Sequence, residues 1–169
     1  PTMKPRPIFL LDGEPGLRGG ERQLLYLAAA LRARSRRGVV YARRAGELAV
    51  EAARLGLEVR ALPFIGEWDL VSAARLAVDA RREGAIIHAH TAHAAGVGAL
   101  AAMGGAPMVI HRRVDFTVSA MSARLKYGRA GSIVAVSKAI ARILASSGVP
   151  REKSAVIPDG LPVDKHESG

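Results

Sequence analysis

Three short stretches carry the side chains that could do chemistry. The first is His88-Ala89-His90-Thr91-Ala92-His93, where alternation along an extended backbone puts His88 and His90 on one face and carries His93 into the following turn. Imidazoles can pass protons near neutral pH, pair with polar ligands or bind zinc. No nearby Cys, Asp or Glu completes a metal shell, so no metal is expected. Packing and hydrogen bonding at a strand end are expected of His88, and polar contact with a ligand of His90. The second stretch is His111-Arg112-Arg113-Val114-Asp115. Two adjacent arginines can hold an anion, with a histidine beside them to give or take a proton. A solvated loop in which Asp115 pairs one arginine fits the same residues. The third runs from Asp12 to Arg22, with glycines at 13, 16, 19 and 20 ahead of an amphipathic segment. Free backbone N–H groups and a helix dipole suit a phosphate there. The spacing is neither a Gly-x-Gly-x-x-Gly fingerprint nor a P-loop, so a tight turn and an anion site both remain open.

The elements that must hold these residues follow from periodicity. Short apolar runs alternate with longer segments of helical period, the pattern of a parallel sheet with helices on both faces. Strands are expected at 7–12, 39–42, 58–62, 85–89, 107–111, 133–136 and 155–157. The intervening helices are expected at 20–34, 46–55, 69–82, 91–103, 119–127 and 137–148. Leu24, Leu27, Ala28 and Leu31 form the buried stripe of the first helix, and Leu70, Ala73, Ala74, Ala77 and Val78 that of the third. Asp69, Thr91 and Ser137 are placed to cap helices, and Gly96 and Gly98 to let the fourth helix approach the sheet. The result is a doubly wound, Rossmann-like α/β domain whose ligands bind beyond the carboxyl ends of the strands, where all three stretches fall.

Composition narrows the class. At 169 residues with 49% hydrophobic side chains, the chain has the size and apolar content of one domain with a real core, built from small aliphatic residues because only 4% are aromatic. The absence of cysteine excludes a disulfide framework, a thiolate metal site and a cysteine nucleophile, and fits a reducing compartment, so a cytoplasmic location is expected. No segment offers the roughly 20 apolar residues needed to span a bilayer. The net charge of +10 favours anionic partners: nucleic acid, anionic lipid or phosphorylated substrates. A surface rich in arginine for other reasons explains it equally well.

Taken together, GLRGGERQLLYLAAAL, IIHAHTAHAAGVGAL, VIHRRVDF and IVAVSKAIARILASSGVPREKSAVIPDGLPVD resemble the N-terminal half of the retaining glycosyltransferases of family four, which have the GT-B fold. The match covers residues 7–164. Its most specific parts are Gly19-Gly20 and the run Ala135-Val136-Ser137-Lys138 followed by Val156-Ile157-Pro158-Asp159-Gly160, where the family usually has Ile-Pro-Asn-Gly-Val. The resemblance implies one half of a GT-B fold, with residues 1–158 as the acceptor-side domain and 159–169 as the start of the hinge or an artificial chain end. It implies that Gly19 and Gly20 approach the donor diphosphate and that His111 lies near the transferred sugar as the catalytic candidate. His90, Arg112, Arg113 and Asp115 are the acceptor-binding candidates. A nucleotide-sugar is expected as co-substrate, with no cofactor or metal, and a glycan or glycolipid, of lipid-linked or lipopolysaccharide type, as acceptor. The family's lysine and Glu-x7-Glu motif belong to a C-terminal domain that this sequence does not reach, so this stretch alone is expected to be inactive.

Two other classes compete. A NAD-binding domain would want an acidic ribose contact after the second strand, where Arg43 and Arg44 stand instead, a pair that suits only a phosphorylated ribose. A basic nucleic-acid binder would want stacking aromatics or a helix-turn-helix, and neither is present, so no specific nucleic acid is expected. If the charge serves association with an anionic membrane at its inner face, the expected patch is Arg32, Arg34, Arg36 and Arg37 with Arg124, Lys126 and Arg129.

Overall fold

The computed structural model describes residues 5–160, and the expected hinge stretch beyond Gly160 lies outside them. The first apolar run becomes β1 (Ile8–Asp12), buried on both faces as its lack of polar alternation requires. It is followed by α1 (Gly19–Ala33), β2 (Gly38–Arg43), α2 (Glu47–Arg54), β3 (Glu58–Leu62), α3 (Leu70–Glu83) and β4 (Ile86–Ala89). The second half adds α4 (Ala92–Ala102), β5 (Met108–Arg112), α5 (Ala120–Ser122), β6 (Ser132–Ala135), α6 (Lys138–Ser146) and β7 (Ser154–Val156). All seven strands pair in parallel in the order β3-β2-β1-β4-β5-β6-β7. The order reverses between β1 and β4, and such a switch point opens a crevice at the carboxyl ends of the strands.

Two apolar layers hold the sheet. On one face Leu10, Val40 and Ala42 pack against Leu24, Leu25 and Ala28 of α1 and Leu48 of α2. On the other, Phe9, Leu11, Ile87, Ile110 and Ile133 pack against Leu76 of α3, Val97 of α4 and Leu144 of α6. The expected caps form: Asp69 accepts from the N–H groups of Val71 and Ser72, Thr91 from Ala94 and Ser137 from Ile140.

The structure corrects four expectations. The buried stripe of α3 is Ser72, Ala73, Leu76 and Ala80, while Leu70 and Val78 are 70% and 60% exposed. The cause is local: the Ser72 hydroxyl donates to Asp69 and accepts from Phe64 N–H, which pins Ser72 inward and turns the helix about its axis. Gly98 does approach the sheet, with Ile87 and Met108 against it, but Gly96 faces the Glu67 carbonyl, where any Cβ would clash. The segment expected as one helix at 119–127 is α5 plus a wide π turn over Ala123–Tyr127, closed by Gly128 N–H on Ala123 C=O. That widening seats Tyr127 in the core and Lys126 on Glu67 at 2.7 Å, so Lys126 is buried rather than part of a surface patch. Finally, β5 continues one residue further, with Arg112 paired to Ala135.

Candidate active site

The three chemistry-bearing stretches converge at the β1/β4 switch point. A cavity of about 430 Å3 is lined by Glu14, Arg18, Gly20 and Glu21 after β1, by His90 and Thr91 after β4, and by His111, Arg112, Arg113, Phe116 and Tyr127 from the β5 side. Gly19 and Gly20 are the first residues of α1, and Glu21 accepts from Arg18 N–H at 2.8 Å to close the first turn. A Cβ on Gly19 would touch nothing, and one on Gly20 would meet only Arg113 Cδ at 3.9 Å. Nothing inside the domain therefore requires glycine at these two positions. A group approaching the helix N-terminus from the cleft would.

Strand register assembles the histidines. His90 follows β4 and His111 lies on β5, so the ring stacked closest to His88 across the strands is His111, not His93. Ring centroids are 4.3 Å apart for His88 and His90, 5.3 Å for His90 and His111, and 5.7 Å for His88 and His111. His93 leaves this set and pairs with Glu14 at 3.1 Å. The Nε2 atoms of His88 and His90 and both ring nitrogens of His111 are buried without a hydrogen-bond partner among the described residues. Burial pushes His88 down to about 3 and His111 down to about 4, and the Arg113 charge acts the same way. Burial also holds His90 well below its ordinary value. All three rings are neutral at pH 7.

The two arginines part company. Alternation sends Arg112 into its own loop, where it donates to the carbonyls of Val114 and Phe116 and to the Tyr127 hydroxyl. Arg113 crosses to Asp159, its Nε 2.9 Å from Oδ2, and places Nη1 3.1 Å from His90 Nδ1. Because a guanidinium only donates, His90 Nδ1 accepts and that ring carries its proton on Nε2. Asp115 is exposed, pairs with neither arginine and does not line the cavity.

Sequence reasoning missed two carboxylates. Asp159 lies 3.6 Å from His111 Nε2 as well as on Arg113, and with the bond from Gln23 to Gly160 C=O it ties the end of the described chain to the cleft wall. Asp12 is fully buried, with Oδ1 accepting from Glu14 N–H and Oδ2 unpartnered, and desolvation raises it to about 7. An acidic residue ending an otherwise apolar strand was the available signal for it.

Fold and site together define a doubly wound α/β domain with a polar ligand cleft at its switch point. Residues 17–165 match Glycosyltransferase Family 4, and the chain belongs to that family. Among solved structures it is similar to Alr3699/HepE of Anabaena, determined with UDP and glucose, at TM-score 0.76 and 23% identity over 92% of this chain and 45% of that one. A glycosyltransferase of Rickettsia africae aligns at TM-score 0.73 and 18% identity over 92% of this chain and 43% of its own. The lipopolysaccharide outer core galactosyltransferase WaaB aligns at TM-score 0.68 and 11% identity over 94% and 47%. The chain thus spans less than half the length of these structures. No curated protein matches it.

Proposed function

We propose that this domain is the acceptor-side half of a retaining glycosyltransferase that moves a sugar from a nucleotide-sugar to a glycan or glycolipid. The observation that carries the reading is the convergence of Gly20, His90, His111 and Arg113 on one switch-point cavity, with Gly19 beside Gly20 at the start of α1. Amides at the start of α1 meet the donor diphosphate, and neutral His111 meets a hydroxyl of the transferred sugar, as donor or acceptor. His90 and Arg113 contact the acceptor, with the exposed Phe116 ring as a platform for a sugar face. Arg112 and Asp115 shape the acceptor loop. No cofactor or metal is needed for this chemistry, and residues 159–169 begin the hinge to the donor domain.

The test uses the whole protein, donor domain included, with UDP-sugars and glycan or lipid-linked acceptors. Transfer with retained anomeric configuration is expected, and none from residues 1–169 alone. An inverted product, or turnover by the isolated stretch, overturns the corresponding part.

We further propose that this is a cytoplasmic enzyme working at an anionic membrane surface. Met121 and Leu125 are exposed beside Arg124, and Val114 and Phe116 are exposed on the loop before α5, an apolar and cationic mixture suited to a lipid interface. Of the seven cations expected in the patch, Lys126 is buried, Arg37 is held by Glu58 and Glu83, and Arg32 donates to the carbonyls of Leu55 and Gly56, while Arg34 and Arg36 lie between α1 and β2 at the edge of the sheet opposite the cleft, which leaves Arg124 and Arg129 on the α5 side. Co-sedimentation with anionic vesicles that fades with salt is expected; equal recovery with neutral vesicles, or none with either, removes this part.

A further inference from the structure

We propose that His88, His90 and His111 form a three-histidine site for a borderline divalent cation of the zinc, cobalt or nickel type. One ring nitrogen from each lies within 4.8 Å of the others. A tetrahedral ion with nitrogens about 2.0–2.1 Å away sets them about 3.4 Å apart, so small rotamer changes close the shell. His88 and His111 stand on two hydrogen-bonded strands, and His90, just past the end of β4, is held by its N–H on Leu11 C=O, which fixes the three bases. The Nε2 atoms of His88 and His90 and both nitrogens of His111 face no partner among the described residues, an unfavourable state for buried polar atoms that a bound ion relieves. Neutral imidazole is also the protonation state that ligates. Three histidines leave a fourth position open, and the Asp159 carboxylate lies 3.6 Å from His111 Nε2.

Arg113 sets the condition for binding. Its Nη1 donates to His90 Nδ1 and so keeps the proton on Nε2. A histidine bound through Nε2 must carry its proton on Nδ1 and donate it to an acceptor. The Arg113–His90 bond and the bound ion are therefore mutually exclusive, and Arg113 must swing fully onto Asp159 before the ion can be held. An ion bound here also occupies His111 and withdraws it from any other contact in the cleft.

The experiment is a titration of this chain with Co2+, followed by the visible absorption of tetrahedral cobalt, with Zn2+ as competitor. One-to-one saturable binding is expected, displaced by Zn2+ and absent with Mg2+ or Ca2+, which prefer oxygen ligands. Alanine at position 88, 90 or 111 should weaken binding by about tenfold or more, whereas His93→Ala should leave it unchanged. Arg113→Gln should tighten it by about tenfold, because the amide oxygen accepts the Nδ1 proton that the guanidinium cannot. A wild-type chain that gives no tetrahedral cobalt signal overturns the proposal regardless of how the variants fold. So does binding that His93→Ala removes, or that Arg113→Gln weakens. The readout is metal affinity, so its failure is distinct from any failure of sugar transfer.

Discussion

Two polar clusters flank the centre of the sheet, and they are built on opposite principles. At the β2/β3 edge, Arg37 pairs with Glu58 and Glu83, and Arg60 pairs with Glu58, Glu83 and Asp79 while also donating to the Tyr41 hydroxyl. The Arg60 guanidinium also stands over the Phe9 and Tyr41 rings. Charge and hydrogen bonds close upon themselves. At the carboxyl ends of β4 and β5 the histidines face one another with most of their ring nitrogens unpaired. A cluster that satisfies itself serves the fold; one left unsatisfied at a switch point is kept for something that arrives.

The sharpest way to break this contrast is Gly20→Val in the whole enzyme. If donor phosphate approaches the α1 amides, transfer should fall to background while the melting temperature of the domain stays within a few degrees, since no protein atom lies nearer than 3.9 Å to a Cβ there. Wild-type turnover would refute the phosphate assignment. His111→Ala should lower kcat by roughly ten- to a thousandfold. A lowered melting temperature with unaltered kinetics would instead put His111 among the packing residues.

The next comparison is in pH. His88 and His111 titrate near 3 and 4 in the folded chain and near 6.5 unfolded, so the unfolded state binds more protons between those limits. Their contribution to stability is present above pH 6.5 and lost as pH falls through about 4 for His111 and about 3 for His88. Asp12, raised to about 7, runs the other way: its protonated form favours the fold below pH 3.8, and that contribution is lost as pH rises through 7. His88→Gln with His111→Gln should flatten the acid-side loss in urea unfolding, and Asp12→Asn should stabilise more at pH 8 than at pH 5. An unchanged acid slope would show that the rings are not held neutral. The smallest effect belongs to Arg60→Ala, expected to cost about 1 kcal/mol because the cluster is partly solvated, with kcat untouched. A loss of activity there would erase the division between the two clusters.

Periodicity made most of the architecture legible. Strand positions, the three helix caps and a mostly parallel sheet follow from short apolar runs, capping residues and helical spacing; the strand order needed the structure. The α3 face was not legible, because the Asp69–Ser72–Phe64 network outweighs the hydrophobicity of Leu70 and Val78. Nor was the wide turn at Ala123–Tyr127, whose sequence carries no marker for an extra residue per turn. Residue type and loop position put Gly20, His90 and His111 at the cleft, where they line the cavity, while the roles expected of Gly20 and His111 came from the family resemblance. The grouping of His111 with His88, and the split of Arg112 from Arg113, needed the register between neighbouring strands. Asp159 could be placed only when residue 159 was seen folded back 46 positions onto Arg113.

The central place of β1 also sets an order in time. Its first partner, β2, is encoded about 30 residues downstream, with Ile8 beside Gly38, but its other partner begins at Ile86, 78 residues after Ile8. At roughly 5–20 residues per second of synthesis, one edge of β1 waits on the order of 4 to 16 seconds for β4 on the ribosome. Until then Phe9 and Leu11 lack the layer that buries them, and a flat apolar strand edge is open to other nascent chains. Rare codons between 62 and 86 would lengthen that exposure. Slowing translation there should lower soluble yield more than slowing it after residue 112, where the centre of the sheet is already closed.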